Sequence, residues 1–120
     1  MEECKVLRNG QKIAGDVYVA DTFLTRLKGL LFKKEMNEDK GLLIRPCSQV
    51  HTIGMKFNID VVFLSNSGEV VHTEIDMEPG SVSPHIKFSN QILELKGGTI
   101  RKLSITRGQQ MTLEPIEKTQ

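Results

Sequence analysis

The strongest constraint on the fold is a pair of β-branched runs separated by a short turn sequence. Residues Ile59–Leu64 and Glu69–Ile75 are rich in Val, Ile and Thr, the side chains that favour extended strands. Between them, Ser65-Asn66-Ser67-Gly68 consists of residue types that tolerate turn geometry. The sequence therefore predicts a β-hairpin here.

Further strands are predicted on both sides of this hairpin. Asn9-Gly10 favours the positive φ angles of a tight two-residue turn, so an N-terminal hairpin is expected, with its second arm continuing through Val17–Val19 past a bulge at Gly15-Asp16. The remaining predicted elements are strands at Gly41–Ile44, Gln91–Leu95 and Gln110–Leu113, the last ended by Pro115, and a short helix at Thr99–Leu103.

One longer helix is predicted between the first two groups of strands. Its apolar side chains recur with helical spacing and would form one stripe. They are Phe23, Leu24, Leu27, Leu30 and Leu31. Asp21 or Thr22 would cap the helix, and Lys33-Lys34 suits the negative end of its dipole. With the strands, this predicts an α+β fold that is mostly β and has one main amphipathic helix.

The remaining segments are predicted to be irregular. Pro79-Gly80 and Pro84 interrupt residues 78–88, which should form a connection of the kind that often carries binding or gating roles. We expect residues 1–116 to form a single domain and residues 117–120 a flexible tail.

Composition excludes several classes of function. Sixteen basic and fifteen acidic residues give a net charge of +1, too small a field to favour nucleic acid as a partner. No apolar run approaches a membrane span, and Met1–Ala20 lacks the apolar core of a signal peptide, so we expect a soluble, cytoplasmic monomer. Two cysteines far apart, Cys4 and Cys47, are expected to stay reduced, and no cofactor is predicted.

Four blocks of the chain carry a family resemblance over roughly residues 16–114. The blocks are Arg26–Leu31, Gly41–Ile44, Asn58–Val71 and Ile92–Gly108. In order and spacing they resemble the arginine-x-x-glycine-leucine, glycine-led strand, aspartate strand with glycine hairpin, and leucine-glutamate-leucine blocks of the domain of unknown function 192 family. The stretch His51–Lys56 resembles a histidine-threonine variant, where many members carry tryptophan-methionine-lysine-asparagine.

The resemblance implies a compact, barrel-like mixed sheet and implies no reaction. It also links the family to genes near pilus or secretion clusters. This is an association between genes, and it does not by itself establish function.

Cys47, His51 and Met55 are spaced by four residues, so a helix or a regular strand would place them on one face. Cysteine, imidazole and thioether are ligands that suit copper or, with other donors, zinc. The same three side chains also suit core packing, because methionine and cysteine fill apolar gaps. The alternatives are a soft-metal site and a packed core.

The same region offers the parts of a hydrolase. Cys47 or Ser48 could act as a nucleophile, with His51 as its base and Asp60 as the carboxylate that orients the imidazole. No glycine-flanked elbow surrounds Ser48, so the motif has low specificity. His72 and His85 lie outside this region and are expected at the surface.

Two polar features remain. Asp60 begins an apolar strand, so it should either accept backbone N–H groups or pair with Arg26, and the functional alternative is that it converges with Arg26 and Glu94 on a polar pocket. Gly97-Gly98-Thr99 before the short helix could offer N–H groups to an anion or simply form a turn and a helix cap.

These observations favour a non-enzymatic binding or accessory domain. It would hold a small molecule or a protein segment in a groove between residues 47–60 and residues 78–90. The predicted ligand-binding residues are Arg26, His51, Met55, Asp60 and Glu94. The alternatives are a hydrolase that uses Cys47 or Ser48 with His51, and a soft-metal protein.

Overall fold

A computed structural model describes residues 2–20 and 36–116. The elements in these ranges are β1 (Glu2–Arg8), β2 (Gln11–Ala20), β3 (Lys40–Ile44), β4 (Ile59–Leu64), β5 (Val70–Met77), β6 (Gln91–Lys96), α1 (Thr99–Leu103) and β7 (Thr112–Pro115). The strands form one mixed sheet in the order β5-β4-β6-β3-β2-β1-β7. Neighbouring strands are antiparallel except for β2 and β3, which are parallel.

Both predicted hairpins are confirmed. Asn9 and Gly10 have φ angles of 50° and 78°, and Arg8 pairs with Gln11 across the turn. In the β4–β5 hairpin, Gly68 has a φ of 93°, and a Cβ atom at this position would overlap the carbonyl oxygen of Met111. A glycine is therefore required here both by its backbone angle and by the close approach of the neighbouring chain.

The prediction of a barrel-like α+β fold is wrong. The sheet is open, because β5 and β7 are its two edges and do not pair with each other as strands. Before the two edge strands begin, an isolated bridge joins Glu69 to Gln110, and backbone hydrogen bonds link Gly68 and Val70 to residues 108–111. Within the described residues the only helix is α1, so the fold is mostly β, and the main helix predicted for residues 23–31 lies outside these residues.

Each face of the sheet carries its own apolar core, because side chains alternate along a strand. On the first face, Leu43 and Val62 pack with the β1–β2 hairpin and with Ile100 of α1. On the second face, Leu42, Val61 and Phe63 form a separate cluster. The central strands β4 and β6 are thus buried on both sides.

The helical structure of residues 2–20 and 36–116 consists of the short helix α1. None of the helical structure in these ranges is both long and apolar enough to cross a bilayer.

Candidate functional site

Two irregular segments cover part of the second face. Residues 45–58 lead from β3 to β4, and residues 78–90 lead from β5 to β6. Their central parts run side by side in opposite directions. Ser83 N donates to Val50 O, Thr52 N donates to Ser81 O, and Ile86 N donates to Ser48 O, each at 2.8 Å. We call residues 47–55 and 78–86 the paired connections.

Thr52 joins the two halves of the paired connections through its side chain. The residue is fully buried. Its hydroxyl donates to Glu78 O at 2.6 Å and accepts from Ser81 N at 2.8 Å. Its own carbonyl accepts a further bond from Gly80 N at 3.1 Å. One side chain therefore fixes the register of two segments that have no regular strand structure.

The paired connections have an inner and an outer side. On the inner side Val50 is buried, and Cys47, Met55 and Ile86 are partly buried against the core of the second face. On the outer side His51 is exposed and forms a bridge with Val82. Ile53 and Val82 are 63% and 60% exposed. The sequence predicts a groove between residues 47–60 and residues 78–90. In the structure these two segments are hydrogen-bonded neighbours.

The Cys47, His51 and Met55 side chains are in unlike environments. Cys47 and Met55 pack toward the core, whereas His51 is exposed. The Cys47 thiol donates to the carbonyl oxygen of Gln49 at 3.0 Å, and Ser48 accepts from Ile86 through its backbone. In residues 2–20 and 36–116, no three His, Cys, Asp or Glu side chains come close enough to share a metal ion.

The two thiols should differ in reactivity. Both are free, and Cys4 is buried whereas Cys47 is partly exposed. Burial raises the pKa of the Cys4 thiol, an effect that Arg45 opposes and Glu2 reinforces, so its thiolate fraction at neutral pH is reduced. We expect a thiol reagent such as dithionitrobenzoate to modify Cys47 at least about tenfold faster than Cys4 in the native protein.

Single variants assign the two rates. Cys47→Ser should leave only the slow reaction, and Cys4→Ser only the fast one. A fast reaction that persists in Cys47→Ser would contradict the prediction.

Asp60 lies on the opposite side of β4 from the paired connections. It follows Ile59 and precedes Val61, both of which face the second core, so its carboxylate points to the first face. There Oδ1 accepts from Asp76 N at 2.9 Å and Oδ2 accepts from Ile100 N at 2.8 Å. Its predicted role as an acceptor of backbone N–H groups is confirmed. The structure does not bring Asp60 together with His51.

The other predicted pocket residues are also dispersed. Glu94 of β6 is buried on the second face, opposite Leu42 and Val61, so the sheet separates it from Asp60. Arg26 lies outside the described residues. His72 is half-buried beside Glu74, with Nε2 3.0 Å from Oε1, and His85 is exposed.

The Gly97-Gly98-Thr99 turn is used within the chain. Gly98 is the N-cap of α1 and adopts a left-handed conformation with a φ of 93°. The N–H of Ile100, in the first turn of the helix, already donates to Asp60. The Asp60 carboxylate occupies the place where the sequence suggested that an external anion could bind. The observed role of Gly97-Gly98-Thr99 is therefore a turn and a helix cap.

Thr52 was not among the predicted site residues. The signal that could have indicated it is a hydroxyl residue in one irregular segment, with a second irregular segment rich in Ser and Pro later in the chain. Such a signal is weak, because a threonine in a loop is usually solvated, and its burial depends on the pairing of two distant segments.

The fold and the paired connections define a mostly β domain of the open mixed-sheet kind. A family model for domain of unknown function 192, described as "Uncharacterized ACR", matches residues 5–113. The chain therefore belongs to this family.

Two relatives support the assignment, and two solved structures share the fold. UPF0127 proteins of Thermococcus kodakarensis and Pyrococcus furiosus are both 30% identical, over 91% and 85% of this chain and 71% and 90% of their own lengths. A candidate transcription regulator from Sinorhizobium meliloti 1021 has a TM-score of 0.75 at 19% identity, covering 93% of this chain and 92% of its own. A protein of unknown function from Novosphingobium aromaticivorans has a TM-score of 0.76 at 19% identity, covering 92% and 83%. At this identity the two structures show a common fold alone.

Proposed function

We propose that the chain is a non-catalytic binding domain that holds an extended segment of another protein on the outer side of the paired connections. One observation carries the proposal. Ile53 and Val82 are two large apolar side chains, more than half exposed, on a surface whose backbone is fixed by hydrogen bonds. Apolar anchors on a rigid frame bind at low entropic cost.

The spacing of the side chains favours an extended partner. Val82 stands across from His51 at the bridge between the two segments, and Ile53 follows the buried Thr52 at the start of a turn that Met55 N closes on Thr52 O. In an extended peptide, alternate side chains point to one side and are about 7 Å apart. A partner segment with apolar residues at every second position would therefore contact both anchors.

The chemistry of the paired connections fits binding better than catalysis. The Cys47 thiol is held by the backbone of its own loop, and the carboxylate that would orient His51 in a hydrolase lies across the sheet. The inner side of the paired connections thus serves packing, and the outer side is available for contact. The family's link to pilus and secretion genes supplies one source of partner segments.

A selection from displayed random peptides tests the proposal. We expect selected peptides to carry alternating apolar residues. Ile53→Asp and Val82→Asp should each weaken peptide binding at least about tenfold, because a charge replaces an apolar side chain that the bound peptide would cover. Affinities would be measured by fluorescence anisotropy, with segments of pilus and secretion subunits in the peptide set.

Ile75→Asp is the matched control, since Ile75 is another exposed apolar residue, on the edge strand β5. It should bind the selected peptides like the parent protein, and thermal melts should show that all three variants fold. Peptides that bind Ile53→Asp and Val82→Asp with parent affinity, or a selection that yields no peptide, would refute the proposal.

A further inference from the structure

Three β-turns meet at the end of the sheet where β4 ends. Each is closed by a backbone hydrogen bond: Gly68 N to Ser65 O at 3.0 Å, Ser89 N to Ile86 O at 3.1 Å, and Gln109 N to Thr106 O at 3.3 Å. They surround an open cleft of about 550 Å³, whose lining includes Ser65, Ser67, Glu69, Lys87, Phe88 and Arg107. We call it the three-turn cleft. Its volume is in the range of small-molecule sites.

The walls of the three-turn cleft are tied together. Val70 N donates to Gln109 O, and Gly108 N donates to Val70 O, both at 2.8 Å, which joins the first turn's strand to the third turn. The Asn90 side-chain amide donates to Asn66 Oδ1 at 3.0 Å, which joins the second turn to the first. The cleft is therefore formed by the folded backbone itself and needs no ligand to assemble it.

Two cations stand at the tips of the turns. Lys87 and Arg107 each occupy the second position of their turn, and both are exposed. Within the described part of the chain, neither forms an ion pair with a carboxylate, although Glu69 also lines the cleft. The cleft thus carries one more positive than negative charge. A guanidinium with free N–H groups is the side chain best suited to hold a phosphate or carboxylate.

Phe88 occupies the position next to Lys87 and is unusual in two ways. Its ring is 75% exposed, the most exposed of the large apolar residues of the described chain. Its φ of 70° is at the third position of a turn, where glycine is preferred and a bulky residue is strained. A glycine would fit the backbone better, so an aromatic ring at this place is best explained by what the ring contacts.

We propose that the three-turn cleft binds a small aromatic anion, a phosphate or carboxylate carried on a flat ring. The ring stacks on Phe88, and the anionic group lies between Arg107 and Lys87. The hydroxyls of Ser65 and Ser67 are hydrogen-bonded to each other at 3.1 Å, so one of them donates within the turn and the other keeps its O–H for the anion. The Lys87 ammonium lies over one face of the Phe88 ring, 5.2 Å from its centre, as a cation–π contact, so the ligand's ring stacks on the other face and Lys87 stands beside the anionic group.

Three probes separate the two halves of this recognition. Phenyl phosphate carries both the ring and the anion, inorganic phosphate only the anion, and phenol only the ring. Followed by ¹⁵N chemical shifts at low ionic strength, phenyl phosphate should bind at least about tenfold tighter than either of the others, and the shifted amides should map to the three turns.

Variants test each part of the cleft. Arg107→Gln and Lys87→Gln should each weaken phenyl phosphate at least about fivefold, whereas Arg101→Gln on the exposed side of α1 should not. Phe88→Gly should abolish the preference for phenyl phosphate over inorganic phosphate while its melting temperature equals or exceeds that of the parent, because glycine relieves the positive φ. If Phe88 had only a structural role, its replacement would lower the melting temperature. Lost ligand preference without lost stability therefore indicates a role in binding.

Three results would overturn the proposal: shifts that map away from the three turns, equal binding of phenyl phosphate and phosphate, or a Phe88→Gly protein that melts lower. The peptide surface around Ile53 and Val82 is not part of the cleft, so either proposal can fail while the other stands.

Discussion

Replacing Asp60 with alanine should lower the free energy of unfolding by about 3–5 kcal/mol. The carboxylate is fully buried and accepts from two backbone N–H groups, those of Asp76 and Ile100. Alanine leaves both donors without an acceptor, and each buried unsatisfied group costs about 1–3 kcal/mol. The change also frees α1 and the end of β5 from β4, so it acts on three elements at once.

Urea denaturation measures this loss, and two further variants show its origin. Asp60→Asn keeps one acceptor oxygen but sets an NH₂ group against the other donor, so it should lose about 1–3 kcal/mol. Asp39→Ala removes an exposed carboxylate paired with Lys12 at 2.9 Å and should lose less than about 1 kcal/mol. A loss below about 1 kcal/mol for Asp60→Ala would show that its bonds are replaced by other acceptors.

Local sequence signals were enough to predict most elements. Asn9-Gly10 and the Ser65–Gly68 turn each join strands that are neighbours in sequence, so both hairpins were predicted correctly. The short helix Thr99–Leu103 was also correct. The last strand was displaced by two residues, because Gln110 forms only a bridge to Glu69 and Pro115 continues β7. Proline has no N–H to donate, and an edge strand tolerates this loss.

The arrangement of the sheet could not be read from the same signals. The parallel pairing of β2 with β3 and the central place of β6 depend on contacts between distant segments. No residue pattern within one strand encodes its neighbours. The barrel-like sheet was inferred from the family resemblance alone, and the two edge strands β5 and β7 show that the sheet is open.

Which candidate residues lie near one another also depends on the tertiary fold and could not be predicted from local patterns. Spacing by four places Cys47, His51 and Met55 on one face only if the segment is regular, and the turn at Ile53-Gly54 means that it is not. Asp60 could have been separated from the site by its alternation with Ile59 and Val61. Which face the connections cover, however, is a property of the tertiary fold.

The stability of the paired connections should depend on the hydroxyl group of Thr52. Thr52→Val keeps the shape of the side chain but removes the bonds to Glu78 O and Ser81 N, in a position with no access to water. We expect it to lower the free energy of unfolding by about 2–3 kcal/mol, whereas Thr52→Ser, which keeps the hydroxyl, should lose about 1 kcal/mol. Thr112→Val, at an exposed site on β7, should be close to neutral.

Thr52→Val should destabilise the paired connections more than the rest of the sheet. Thr52→Val removes the acceptor of the Ser81 amide, so native-state hydrogen exchange at Ser81 and at the neighbouring Gly80 should accelerate more than exchange in β4 and β6. Peptide binding should weaken as well, since the frame under Ile53 and Val82 is no longer fixed before the partner arrives. A Thr52→Val protein as stable as Thr52→Ser, with unchanged exchange at Gly80 and Ser81, would mean that the backbone pairs of the connections suffice without the hydroxyl.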